Sequence, residues 1–153
     1  MLDLPQAPLD PTPCAPPAGP PRSLLLASEP QSVRHARTFT REHIAHHAPH
    51  ATEHHTDIAI LITSELVTNA YRYGTEPGDL ISVVLDIDSG RTRIEVHDPV
   101  RRAPRRRSGV EECGHERTRG RGLLILDVLC PQRWGVGDRP FGKFVWAEVP
   151  YDC

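Results

Sequence analysis

Glu65 and Asn69 stand four residues apart in a stretch whose apolar residues, Ile58, Leu61, Ile62, Leu66, Val67 and Ala70, recur at helical spacing. On a helix of 3.6 residues per turn this separation puts the two side chains about 40° apart, along the stripe that also carries Ile58 and Leu61. A carboxylate and a carboxamide on an apolar stripe require partners, because an unsatisfied buried polar group costs roughly 1–3 kcal/mol. A hard cation is one such partner, since the Asn69 carbonyl oxygen is a ligand that magnesium accepts beside water and phosphate. Next to such a site Glu65 is suited to take a proton, as a general base. At the edge of the stripe the same two residues are simply hydrated and need no ligand.

Asp98 closes an alternating run of Ile94, Val96 and Asp98, so its carboxylate faces the side of the two apolar residues. There it can accept a hydrogen bond from a ligand amine. It is equally an ordinary strand-terminal turn residue before Pro99. Gly120-Arg121-Gly122 precedes the apolar run from Leu123 to Cys130. Glycines opening a helix leave free backbone N–H groups at its positive end, a favourable place for phosphate. No Walker A pattern occurs, and Ile125 fills the place of the last glycine in Gly-x-Gly-x-x-Gly.

The elements that must position these residues follow from periodicity. Met1 to Arg22 holds eight prolines and no hydrophobic period, and reads as a disordered or extended tail. Ser23 to Ser28 reads as a strand, Ser32 as a helix N-cap, and Val33, Ala36, Phe39, Thr40, His43, Ile44 and His47 as one stripe of the helix that follows. Pro49 ends it. A second helix runs from about Thr52 to Tyr73, with Gly74 as its C-terminal stop. Two alternating runs ending at Ile87 and Asp98 flank the turn Asp88-Ser89-Gly90 as a hairpin. Pro99 to Arg119 is polar and aperiodic, the length of a functional lid. An apolar helix stopped by Pro131 and two strands, Trp134 to Val136 and Lys143 to Val149, complete the domain. The order implies an α/β (α+β) two-layer sandwich over residues 23–150, a mixed sheet with helices on one face, and a short tail at 151–153.

Bulk properties set bounds on the function. A chain of 153 residues fits one core. A net charge of -2 gives no strong footprint for nucleic acid or membrane. Cys14, Cys113, Cys130 and Cys153 are widely spaced, without a zinc or disulfide pattern, and fit reduced cytoplasmic thiols. No secretory leader or membrane span is visible. His43, His46, His47, His50, His54 and His55 form a dense cluster, but Pro49 breaks the helix within it and no carboxylate is assigned to orient the rings, so a solvated helix end outweighs a metal site. Arg101, Arg102, Arg105, Arg106 and Arg107 lack an aromatic platform or a DNA-reading helix, which favours a phosphate clamp or docking patch over direct nucleic acid binding.

The segment from Ser64 to Gly74, Ser-Glu-Leu-Val-Thr-Asn-Ala-Tyr-Arg-Tyr-Gly, resembles the N-box of the GHKL (histidine kinase-like) ATPase superfamily. Within it the chain looks most like the anti-sigma-factor serine kinases and the short actinobacterial ATP-binding regulatory proteins. Gly120 to Leu124 resembles their G-box, and Gly142 to Glu148 their final strand. The resemblance covers about residues 23–150 and implies a Bergerat-type fold that binds ATP and Mg2+. Carried onto matching positions, it makes Asn69 the magnesium ligand, Glu65 the base that activates a hydroxyl or water, and Asp98 the reader of the adenine amino group. It lets Gly120 and Gly122 bring backbone to the phosphates, with Leu123 beside them, and gives Arg119 the neutralisation of phosphate charge. Lys143 stands where the family often has Thr, and is placed on the nucleotide with them. The family's Asp-x-Gly-x-Gly is here Asp98-Pro99-Val100-Arg101-Arg102, without the glycines that shape the adenine pocket.

The resemblance implies a serine/threonine protein kinase that moves the ATP γ-phosphate to an antagonist protein. A non-catalytic module that sequesters a transcription factor when nucleotide is bound is the alternative. A protein that has kept only the fold is the third. The partner implied is a sigma factor or an anti-sigma antagonist, a homodimer is compatible, and no membrane is involved.

Overall fold

The computed structural model describes residues 19–99 and 124–152. The chain forms β1 (Ser23–Ala27), α1 (Ser32–His47), α2 (Glu53–Tyr73), β2 (Leu80–Ile87), β3 (Arg91–Asp98), β4 (Trp134–Arg139) and β5 (Gly142–Pro150). A short helix covers residues 124–129. Residues 1–18 of the tail expected over 1–22, the lid beyond Pro99 and the turn Gly120-Arg121-Gly122 lie outside the described residues, and the end of that tail is held by the Leu85 N–H, which donates to the Arg22 carbonyl at 2.9 Å. Among the described residues no helix is long and apolar enough to cross a membrane.

The five strands are ordered β1-β2-β3-β5-β4, and every neighbouring pair is antiparallel. The expected mixed sheet is therefore corrected. Two helices between β1 and β2 turn the chain twice and return it antiparallel. The connection from β3 to β4 leaves those strands parallel in direction, but β5 folds back between them and separates the pair.

One face of the sheet is apolar by strict alternation. Register aligns Val83 with Val96 and Val145, and Leu85 with Ile94 and Ala147. These rows are buried under α1 and α2, with Leu26 and Ile81 at the β1 side. Between the helices the Thr40 and Thr63 hydroxyls meet at 3.1 Å, each 2.9 Å from the carbonyl four residues earlier, which satisfies two buried polar groups without a third partner.

The helix ends are fixed individually. Gln31, not Ser32, occupies the N-cap of α1, and no side chain caps it. Ser32 is already helical and donates its hydroxyl to the Ala27 carbonyl at 2.6 Å, tying the helix to β1. Thr52 caps α2 by accepting from the His55 N–H at 3.1 Å. The His55 ring is buried, 3.3 Å from the Pro150 carbonyl through Nδ1 and 2.9 Å from the Thr92 hydroxyl through Nε2. A carbonyl only accepts, so Nδ1 carries the proton and Nε2 accepts from Thr92. Protonation would reverse that bond, with Nε2–H donating to the Thr92 hydroxyl oxygen, and burial lowers the His55 pKa.

The histidine cluster divides by burial. His43 is buried, whereas His46, His47, His50 and His54 are exposed. Its Nδ1 has no hydrogen-bond partner, its ring lies 4.3 Å from His47, and burial, with His47, His46 and Arg22 nearby, lowers its pKa to about 4. Because the folded pKa lies below the unfolded value, the unfolded chain takes the proton first as pH falls. Stability is full above pH 6.5 and declines toward pH 4, by up to about 2 kcal/mol at pH 5 from this residue. Urea unfolding at pH 7.5 and pH 5 should show this loss, and His43→Leu should flatten the pH dependence. An unchanged slope in that variant would place the acid sensitivity elsewhere.

Candidate functional site

After His55, the buried residues of α2 are Ala59, Ile60, Ile62, Thr63, Leu66, Val67 and Ala70. Leu61, expected inside, is 43% exposed. A helix turns 100° per residue, and the small Ala59 and Thr63 occupy the centre of the stripe where α1 approaches. Ile58, Leu61, Glu65 and Asn69 therefore run along its flank. Glu65 and Asn69 are half-buried, and among the described residues no hydrogen bond or ion pair engages either side chain. The helix beneath them is continuous, with the Ser64 hydroxyl returned to the Ile60 carbonyl at 2.9 Å.

Five residues beyond Asn69, about 7.5 Å along the axis, α2 ends at Gly74 against the end of β3. The Asp98 carboxylate is buried there, 7% exposed. A Cβ on Gly74 would lie 2.6 Å from Asp98 Oδ2 and 2.7 Å from its Cγ. Gly74 ends α2 as expected, but its φ of -109° is an ordinary right-handed value, so it is the carboxylate it faces and not its backbone conformation that excludes a side chain there. The next residue fastens the turn. Thr75 Oγ1 lies 3.2 Å from the Ala70 and Tyr71 carbonyls and also bonds the Ser28 hydroxyl.

Lys143 is half-buried and directly opposite Asp98 in the ladder, with Asp138 opposite it on the other side. Paired residues share a face, so Asp98 and Lys143 both belong to the helix-covered side. Asp98 and Lys143 thus stand together at the strand ends where α2 terminates, and Asn69 and Glu65 lie about 7.5 Å and about 13.5 Å back along the flank of that helix. Arg119, Gly120, Gly122 and Leu123 lie outside the described residues. The short helix after them is anchored by buried Leu126 and by Trp134, which donates Nε1–H to Asp127 at 2.8 Å. Sequence reasoning missed Gly74 and Gly142 as part of the site. A Cβ on Gly142 would lie 2.0 Å from the Asp98 carbonyl oxygen. Neither glycine's crowding has a local signal, because each is produced by a strand distant in sequence.

No group of three or more His, Cys, Asp or Glu side chains is placed to hold a metal among the described residues. The site instead offers one carboxamide oxygen and one carboxylate on a helix flank, with a buried carboxylate nearby. That set fits a ligand that brings its own cation and an aromatic amine.

Residues 26–130 match the family model of the histidine kinase-like ATPase domain, and the chain belongs to this family, within the GHKL superfamily. Membership makes it an ATP-binding domain. No curated protein matches the chain significantly.

Side chains without protein partners contribute little to the fold. Glu65→Gln and Asn69→Ala should each shift the unfolding free energy by less than about 0.5 kcal/mol, in urea titrations without nucleotide. A loss above about 2 kcal/mol would mean that the pair is a structural element of α2.

Proposed function

We propose that the protein is a magnesium-dependent ATP-binding regulator, a serine/threonine protein kinase of the anti-sigma-factor type acting on an antagonist protein in the cytoplasm. The observation that carries this reading is the half-buried Glu65 and Asn69 pair, one helical turn apart and without side-chain partners among the described residues. Bound Mg-ATP supplies an activated phosphoryl group whose transfer depends on positioning and charge neutralisation.

Asn69 offers its carbonyl oxygen to the cation. Glu65, one turn earlier on the same flank, accepts the proton of the attacking serine or threonine hydroxyl. Asp98, buried at the end of β3, accepts a hydrogen bond from the adenine amino group, a donor that a base with a carbonyl at that position does not offer. Lys143, opposite Asp98, adds positive charge beside the base-reading end.

One observation favours a second reading, in which nucleotide binding controls capture of a sigma factor or an antagonist without phosphotransfer. A general base is normally oriented by a further group, and among the described residues none holds Glu65.

Calorimetric titration with Mg-ATP tests both readings. Asn69→Ala should weaken binding at least about tenfold. Glu65→Gln should retain binding and lose about 100-fold or more of transfer from γ-labelled ATP to proteins co-purified from the native host. Binding without transfer by the unaltered chain selects the capture reading, and the absence of binding heat overturns both.

A further inference from the structure

The Asp98 carboxylate has no glycine after it in its own strand to make room for it, since Pro99 follows. The room comes from two residues of other elements. Gly74, at the end of α2, leaves out the Cβ that would stand 2.6 Å from Oδ2, and Gly142, at the start of β5, leaves out the one that would stand 2.0 Å from the Asp98 carbonyl oxygen. We infer that Gly74 is a positioning residue for nucleotide recognition: its missing Cβ keeps the Asp98 carboxylate in the orientation from which it reads the base. This inference rests on the proposed adenine-reading role of Asp98.

The backbone conformation does not require glycine at position 74, because φ -109° and ψ -4° are open to any L residue. A methyl group placed there meets three atoms, Asp98 Oδ2, Asp98 Cγ and, at 3.0 Å, the Ala70 carbonyl oxygen. The α2 side of this contact cannot withdraw. The Gly74 N–H is bonded to the Ala70 carbonyl at 2.8 Å, and Thr75 holds the same carbonyl, that of Tyr71 and the Ser28 hydroxyl. The β3 side is equally confined, since the Asp98 main chain is closely approached by Gly142 and paired with Lys143 in the ladder. The remaining freedom is rotation about the Asp98 side-chain bonds, which turns the carboxylate away from its present direction. A methyl at position 74 therefore acts first on the base-reading group, the side of the contact that can move, and alanine there narrows the unfolded ensemble.

A double-mutant cycle with Gly74→Ala, Asp98→Ala and the double variant tests this, with Mg-ATP and Mg-GTP affinities read by calorimetry and folding by thermal melts. Gly74→Ala should weaken Mg-ATP about tenfold or more, narrow the preference for ATP over GTP, and keep a cooperative melt; on the Asp98→Ala background it should change Mg-ATP affinity by less than about twofold. A Gly74→Ala chain that folds only when Asp98 is also replaced supports the same collision. If Asp98→Ala weakens Mg-ATP and Gly74→Ala does not, the positioning role is overturned while the reading of Asp98 stands. Equal losses on both backgrounds, or unfolding on both, reduce Gly74 to a structural residue and overturn the inference. An Asp98→Ala chain that binds Mg-ATP as well as the unaltered protein removes the adenine-reading role and the inference with it.

Discussion

An antiparallel sheet with one apolar face has to be covered, and the pair α1 and α2 is what covers it. Leucine, isoleucine and valine side chains from four strands converge on that face, and the helices meet it with their own inward residues. α2 runs along β3 in the same direction, so its first turn lies by Thr92 and its last by Asp98. The site is a product of this arrangement. A helix that lies flat on the sheet buries one stripe, and the residues on its flank are left half-covered beside the strand ends.

The other face of the sheet solves a different problem. It carries Arg91, Arg93, Glu95, Glu148 and His97, which pair with one another: Arg93 with Glu95 at 2.8 Å and Glu148 at 3.1 Å, Arg91 with Glu148 at 3.2 Å, His97 with Glu95 at 2.9 Å. Arg93 also lies 4.4 Å over the Trp146 ring, and Phe144 stacks on His97. Gly135 and Gly137 of β4 let the Trp146 and Phe144 rings lie across the neighbouring strand. The Arg–carboxylate pairs, partly open to water, contribute little stability each, and His97, whose pKa burial lowers, meets Glu95 as a neutral donor through Nε2. The sheet is thereby divided into a face of paired charges partly open to water and an apolar face covered by the helices.

Most of the fold was legible because its signals are local. Alternation marked the hairpin, three- and four-residue spacing marked both helices, and Thr52, Pro49 and Pro131 marked where helices start or stop. What the sequence hid depends on contacts between distant segments. Strand order was hidden, because β5 inserting between β3 and β4 is a choice among edges that no local pattern records. Leu61 was misplaced because its hydrophobicity gives no indication that Ala59 and Thr63 suit the close approach of α1 better. Of the candidate site, Glu65, Asn69 and Asp98 stood out as polar residues in apolar patterns, and Lys143 only through the resemblance of its strand to the family's last motif. Gly74 was read as a conformational stop. Its actual neighbour, Asp98, is 24 positions away in the sequence.

His55 was read only as a member of a histidine cluster, yet it fixes an angle. Its two ring nitrogens are committed to the Pro150 carbonyl and the Thr92 hydroxyl, so the first turn of α2 is held in azimuth as well as in place. At 100° per residue, Asn69 then points about 40° and Glu65 about 80° from the His55 direction, both on the same side. The helix works as a keyed shaft: the key engages at one end, and the angular setting it imposes is used three and four turns away, where a rotation by a single residue would carry both polar groups off the flank.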